Sequence, residues 1–248
     1  MYLDLGVNQL SGSIPISLGS LTNLQQLWLY GNQLSGSIPT QLGNLAHLVA
    51  LDLSQNQLTG SIPTQLGSVT NLQYLGLNGN MLSGGIPTSL ESLTKLLAGQ
   101  SDLRYNALYS TDATLTTFLN GKQYGGDWES TQTVAPAGVA AGATTATSVA
   151  LSWTPIAYTG DSGGYQAYYS TASGGPYTSS GITVDKTSTW IEASGLTPDT
   201  TYYFVIRTIT NPSDNNQNTV VSGPSAEVSA RTAVSRLRGV RRHVKRAP

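Results

Sequence analysis

The chain has 248 residues, 39% of them apolar, enough for one large domain or two ordinary ones with separate cores. It has no cysteine, which removes disulfides, thiolate metal sites and a cysteine nucleophile, and no apolar run of the 18 or more residues that a membrane span needs. Only 10% of residues are charged, and the formal charge of -1 hides an asymmetry: six of the twelve Lys and Arg lie beyond residue 235, so thirteen acidic residues face six basic ones in the remainder.

A unit of 24 residues recurs from the start. Asn8, Asn32, Asn56 and Asn80 form one column, Pro15, Pro39, Pro63 and Pro87 a second, and Leu18, Leu42, Leu66 and Leu90 a third. A fixed period of this length marks a solenoid, whose turns bury their apolar faces only by stacking on one another. Residues 24–43 show the unit in full: Leu24, Leu27, Leu29, Asn32 and Leu34, then Ser-Gly-Ser-Ile-Pro and Leu42. The L-x-L pair predicts a short strand, and such strands about 4.8 Å apart make a parallel concave sheet with leucines inward. The asparagines are expected in the next turn, their amides satisfying backbone groups of neighbouring coils. Ser-Gly-x-Ile-Pro breaks any long helix, so the convex side is expected to be extended or 3₁₀. Residues 2–10 already read as mid-turn. The chain is therefore expected to continue a longer protein whose missing N-terminal part carries the export signal.

The fifth turn drifts, placing Asn106 26 residues after Asn80, as terminal repeats do. Asp112 offers an N-cap for a helix with Leu115, Phe118 and Leu119 on one face and Gly125-Gly126 as its stop. With Trp128, this helix is expected to lid the solenoid. After Pro136 the pattern changes to short alternating strands separated by Gly, Ser, Thr and Pro turns. Trp153, Tyr165, Ala167, Tyr169, Phe204 and Ile206 are the expected core of this second part by alternation, and Trp190 falls on the outward phase.

The repeats resemble leucine-rich repeats of plant receptor ectodomains and of bacterial surface proteins built on the same unit. Residues 148–153, 164–169 and 196–206 resemble strands B, C and E to F of a fibronectin type III domain, most closely at Leu196, Pro198, Thr200 and Tyr202, an L-x-P-x-T-x-Y tyrosine corner. The resemblance implies a leucine-rich-repeat solenoid with a parallel concave sheet and an extended or 3₁₀ convex side, followed by an all-β sandwich. The expected organisation is repeats over 1–108, a cap helix and linker over 109–135, the sandwich over 136–233 and a basic, disordered tail over 234–248. Without a cysteine cap or a usable Asn-x-Ser/Thr site, a bacterial-type surface protein is the preferred source.

Catalysis is disfavoured by elimination. The two histidines, His47 at a position equivalent to Asn23 and Asn71 and His243 in the tail, are badly placed for a Ser-His-Asp triad, and no phosphate-cradling loop is present. Neither a metal nor another cofactor is expected. Asp4 and Asp52 share an outward column with Asp102 and would stand roughly 10 Å apart, near the separation of about 6.5–9.5 Å in inverting glycosidases. An open sheet offers no burial or cleft to support that chemistry, so the column reads as a solvated acidic stripe.

Binding is the stronger reading. The outward positions bring together Gln26, Trp28, Tyr30, Asp52, Tyr74, Asn78, Arg104 and Tyr105, and interface hot spots are enriched in Trp, Tyr and Arg. Trp28 and Tyr30 set their coil apart from its neighbours. The same rings would stack on sugars, so the expected ligand is a protein or a carbohydrate. The loop over 211–218 reads as a solvated connection. These features, with a surface rich in Ser, Thr, Asn, Gln and Gly, predict a non-catalytic recognition or adhesion protein, extracellular or on the cell surface, monomeric or part of a longer chain, with no nucleic-acid partner. The alternative is the accessory binding region of an exported polysaccharide- or protein-degrading enzyme whose catalytic domain is absent.

Overall fold

The computed structural model describes residues 1–235, so the basic cluster and the expected disorder of the tail fall largely on 236–248, outside the described residues. Five coils each contribute two strands: β1 (Tyr2–Asp4) and β2 (Ser11–Ser13), β3 (Gln26–Trp28) and β4 (Gln33–Ser37), β5 (Ala50–Asp52) and β6 (Gln57–Gly60), β7 (Tyr74–Gly76) and β8 (Met81–Gly85), β9 (Ser101–Asp102) and β10 (Ala107–Tyr109). The odd-numbered strands stack in order as the concave parallel sheet. The even-numbered ones form a second parallel sheet, β10-β8-β6-β4-β2. Registers hold the 24-residue period, with Leu3, Leu27, Leu51 and Leu75 side by side.

Between coils the chain makes 3₁₀ turns at Ile16–Ser20, Thr40–Asn44, Thr64–Ser68 and Thr88–Ser92. Each starts directly after the column proline, whose φ of -63° to -71° sets the entry geometry. The glycine after the column leucine has a packing reason: a Cβ on Gly43 would lie 2.4 Å from the carbonyl oxygen of Gln65 in the next coil. Leu24, Leu27, Leu42, Leu45, Leu48 and their equivalents in the later coils are buried, each contributing about 1.5–3 kcal/mol relative to exposure, while Leu3, Leu18 and Leu21 of the first coil are partly buried.

The asparagine column forms a ladder. Asn56 Oδ1 accepts from Leu34 N–H at 2.9 Å, and its Nδ2 donates to the carbonyls of Leu29, Leu53 and Ser54. Asn32, Asn80 and Asn106 repeat this arrangement. Gln132, 26 residues beyond Asn106, continues it by accepting from Leu108 N–H at 2.9 Å and donating to the Leu103 carbonyl. At the opposite end the first coil is open, leaving Tyr2, Val7 and Ile16 exposed.

The cap helix α1 (Ala113–Asn120) begins as expected, with Asp112 Oδ1 accepting from Thr114 and Leu115 N–H. It ends five residues before Gly125, because the chain turns out at Gly121 to pair with the concave sheet: Ser101 N–H donates to Lys122 O and Tyr124 N–H to Ser101 O. Leu115, Leu119 and a fully buried Trp128 close the solenoid core.

The second part is a sandwich of eight strands: β11 (Ala137–Thr144), β12 (Ser148–Thr154), β13 (Gly163–Ser170), β14 (Thr178–Ile182), β15 (Trp190–Ser194), β16 (Thr201–Thr210), β17 (Val220–Val221) and β18 (Val228–Arg231). One sheet runs β11-β12-β15, and the other β14-β13-β16-β17 with β18 also on β16. Val149, Leu151, Trp153, Tyr165, Ala167, Phe204 and Ile206 pack between them. Thr197 N–H donates to the Tyr202 hydroxyl at 2.9 Å, closing the tyrosine corner. Trp190 is 62% exposed while Ala193 is buried, as the alternation requires.

The loop over 211–218 is not a solvated connection. It lies on the solenoid flank, where Val7, Gly31, Gln55, Gly79 and Tyr105, each just before a ladder asparagine, have left-handed φ of 50° to 68°. Asn216 Nδ2 donates to the carbonyls of Asn80 and Tyr105, both at 2.8 Å, and Asn218 Nδ2 to that of Asn56 at 2.6 Å. Gln55 Nε2 reaches back to the Asn215 carbonyl at 3.1 Å. Beside them Tyr158, from the β12–β13 loop, packs on Tyr105 with ring centroids 5.9 Å apart. The Thr133 and Thr210 hydroxyls meet at 2.7 Å.

Candidate functional site

The concave sheet carries two adjoining features. The first is an aromatic ledge. Trp28 on β3 and Tyr74 on β7 lean together over β5, with ring centroids 5.3 Å apart. The rings meet diagonally: Trp28 is in register with Asp52 and Tyr74 with Ala50, which is small and buried and leaves room beside the indole. Gln26 Oε1 accepts from Trp28 Nε1–H at 3.1 Å, and the Tyr74 hydroxyl donates to Asp52 Oδ2 at 3.0 Å. Burial, with the neighbouring Asp52 carboxylate, raises the Tyr74 phenol above its ordinary value, so it remains a neutral donor. Asp52 lies over Gly76, where a Cβ would fall 2.5 Å from its Oδ1. Tyr30 packs its ring over Gly6 of the first coil, at the edge of the ledge.

The second feature is a polar cleft of about 460 Å³, lined by Ser54, Tyr74, Asn78, Asp102, Arg104 and Tyr124 among others. Arg104 holds Asp102 bidentately, with Nε and Nη2 at 3.0 and 2.7 Å from its two oxygens. Hydrogen bonding to Asp102 keeps the guanidinium charged. Arg104 also faces the rings of Tyr105 and Tyr124, at 5.5 and 5.3 Å. Such a paired guanidinium is held in position, and its remaining donors and flat face are what it can offer a ligand.

Seven of the eight expected residues thus lie on or bordering one surface: Gln26, Trp28, Tyr30, Asp52 and Tyr74 at the ledge, Asn78 and Arg104 in the cleft. Tyr105 corrects the expectation. Its left-handed backbone, φ 57°, turns it out of strand geometry and its ring joins the sandwich core at Tyr158. The acidic stripe is also corrected. Asp52 and Asp102 are buried, and each of the three aspartates accepts from the N–H two residues on: Gly6 to Asp4, Ser54 to Asp52 and Arg104 to Asp102. They brace the strand ends.

Tyr124 and Gln123 escaped the sequence reading. Gln123 is buried, with Nε2 donating to Asp102 Oδ1 and Oε1 accepting from Leu103 N–H. Both lie outside the 24-residue period, so no column pointed to them. His47 is exposed, with Nδ1 3.0 Å from the Thr22 carbonyl, a contact that Asn71 Nδ2 repeats with Ala46 one coil on. Among the described residues no cluster of three His, Cys, Asp or Glu could hold a metal ion, and no helix is long and apolar enough to cross a membrane.

Coils with an L-x-L strand, an asparagine ladder and a 3₁₀ turn, joined to a sandwich with a tyrosine corner, define a two-part class. The chain is a leucine-rich-repeat solenoid followed by a fibronectin type III domain. The Leucine Rich Repeat family model matches residues 1–21, 23–45, 47–69 and 71–93, and the Fibronectin type III domain model matches 134–223.

No curated protein matches the chain. Among solved structures it is similar to the plant peptide hormone receptor RGFR1 in complex with RGF2, at 40% identity and TM-score 0.47 over 52% of this chain and 20% of that one. It is similar to the Arabidopsis receptor kinase HAESA in complex with the peptide hormone IDA and the co-receptor SERK1, at 43% identity and TM-score 0.44 over 48% and 20% of the two chains. The BIR3–SERK2 complex from Arabidopsis thaliana shows 43% identity and TM-score 0.37 over 44% of this chain and 55% of that one. The chain therefore spans between a fifth and just over half of these proteins' chains. The bacterial attribution finds no support in these similarities.

Proposed function

We propose that the chain is a non-catalytic recognition module that binds a polypeptide ligand across its concave sheet, outside the cell or at its surface. The observation that carries this reading is the Trp28–Tyr74 ledge running into the Arg104 cleft on an otherwise open sheet. Rigid aromatic rings beside a positioned guanidinium are the composition that dominates binding energy at protein interfaces. The ledge is held by Gln26 and Asp52, so a ligand meets it with little ordering left to do. The aspartates that might have served chemistry are committed to strand-end amides.

The sandwich favours the same face. Its loops at 156–162 and 211–219, which lie at one end and are available for ligands in many sandwiches, are occupied by the solenoid flank. The placement outside the cell rests on the sparse charge and amide- and hydroxyl-rich composition.

The test is selection of binding peptides from a displayed library against the whole chain, followed by affinity measurement with Trp28→Ala. Loss of about 2 kcal/mol or more, roughly 30-fold, is expected for a central hot spot. Equal affinity in a variant with an unchanged unfolding midpoint would remove the concave face from the reading, and selection of oligosaccharides in place of peptides would change the ligand class.

A further inference from the structure

Beside the docked loop, on the flank of the solenoid, lies a niche of about 310 Å³ built by both halves of the chain. Its walls include Asn32, Gln33, Gln55 and Gln57 from two successive coils and Gln217 and Asn218 from the loop. The rest of the lining is Asn56 and the glycines Gly31 and Gly79. No charged, aromatic or aliphatic side chain lines it.

The niche continues a row of backbone acceptors. Along the flank the carbonyls of Tyr105, Asn80 and Asn56 are taken by the loop amides. The next carbonyl in the row, that of Asn32, receives no donor among the described residues, and the side chains of Gln33 and Gln57 make no hydrogen bond there either. The pocket is thus bounded by an unused acceptor and by the exposed primary amides of Gln33, Gln57 and Gln217, each with two donors and an acceptor in one plane, Gln217 giving one donor to the Ser213 carbonyl.

We propose that this niche is a second binding site and that it takes a neutral saccharide unit. A hydroxyl both donates and accepts, which matches primary amides and a backbone carbonyl, and the methylene stems of the glutamines meet the C–H faces of a sugar ring, whereas an ionic ligand would find no countercharge. The volume lies at the lower end of ligand pockets, about 300–1,000 Å³, and fits a small ring unit rather than a protein surface. The site exists only because the loop is docked, and it is separate from the concave ledge.

The experiment titrates the whole chain with neutral gluco-, manno-, xylo- and N-acetylglucosamine oligosaccharides, following side-chain amide signals by NMR and affinity by calorimetry. Gln57→Ala and Gln217→Ala, both at exposed positions, are each expected to weaken binding about five-fold or more, while Trp28→Ala leaves it unchanged. Three results would overturn the proposal. They are no binding by any of these saccharides at millimolar concentration, binding lost with Trp28→Ala but kept in the glutamine variants, and occupation of the niche by an Asn/Gln-containing peptide when the saccharides fail.

Discussion

Asn56 shows how much one side chain can carry in a solenoid. It satisfies one amide and three carbonyls from two coils while itself 2% exposed. Asn56→Ala strands buried polar groups and is expected to cost about 2–4 kcal/mol by urea unfolding, since each unsatisfied group costs about 1–3 kcal/mol. Asn8 is exposed and bonds only within its own coil, so Asn8→Ala should cost under about 1 kcal/mol. Equal losses at the two positions would refute the ladder as the source of stability. Lys186 presents the opposite case. It is 3% exposed, its Nζ stands 4.2 Å from the Tyr158 ring centroid and 3.2 Å from Thr210 Oγ1, and burial pushes its pKa down to about 8, with Asp161 opposing the shift. A lysine depressed in the fold and ordinary, about 10.4, when unfolded leaves the unfolded chain with more protons between these values. Stability should therefore rise from about pH 8 towards pH 10, by about 1–3 kcal/mol, and the rise should vanish in Lys186→Met. A wild type and variant with parallel pH profiles would show that the ammonium is not desolvated.

At the scale of elements, the coil was legible and its exceptions were not. The proline column set the 3₁₀ turns, and Asp112 announced the cap helix, because both act on their immediate neighbours. Even Gln132 had a signal, its 26-residue distance from Asn106, although a glutamine standing in for asparagine hid it. The helix stop was misplaced because pairing of Lys122 and Tyr124 with Ser101 ended it before the glycines did. The loop over 211–218 misled most. Its asparagines look like solvent-facing turn residues, yet they extend the hydrogen bonding of the ladder from outside. Removing both donors in Asn216→Ala/Asn218→Ala should speed hydrogen exchange in that loop at least about ten-fold, and should separate the unfolding of sandwich and solenoid into two steps, since an amide bond contributes about 0.5–1.5 kcal/mol to the contact. A single transition with unchanged exchange would mean that the Tyr105–Tyr158 and Thr133–Thr210 contacts suffice.

In the whole molecule, these contacts turn two folds into one frame. The solenoid supplies a concave face, and the sandwich spends its loop end on the solenoid flank, leaving Trp190 and the outer sheet surfaces facing outward. Period and alternation alone determined the coils, the inward leucines, the sandwich core and the outward Trp28, Tyr30 and Tyr74, because each follows from spacing along a regular backbone. Tertiary structure decided that Asp52 and Asp102 are buried braces, that Tyr105 belongs to the sandwich, that Tyr124 borders the cleft with Gln123 holding Asp102, and that an amide niche lies between the halves. Those outcomes depend on which surfaces meet outside the repeat period, from Gln123 on Asp102 one coil away to Asn216 on Tyr105 and Asn80 more than 100 residues away, and no local pattern encodes such encounters.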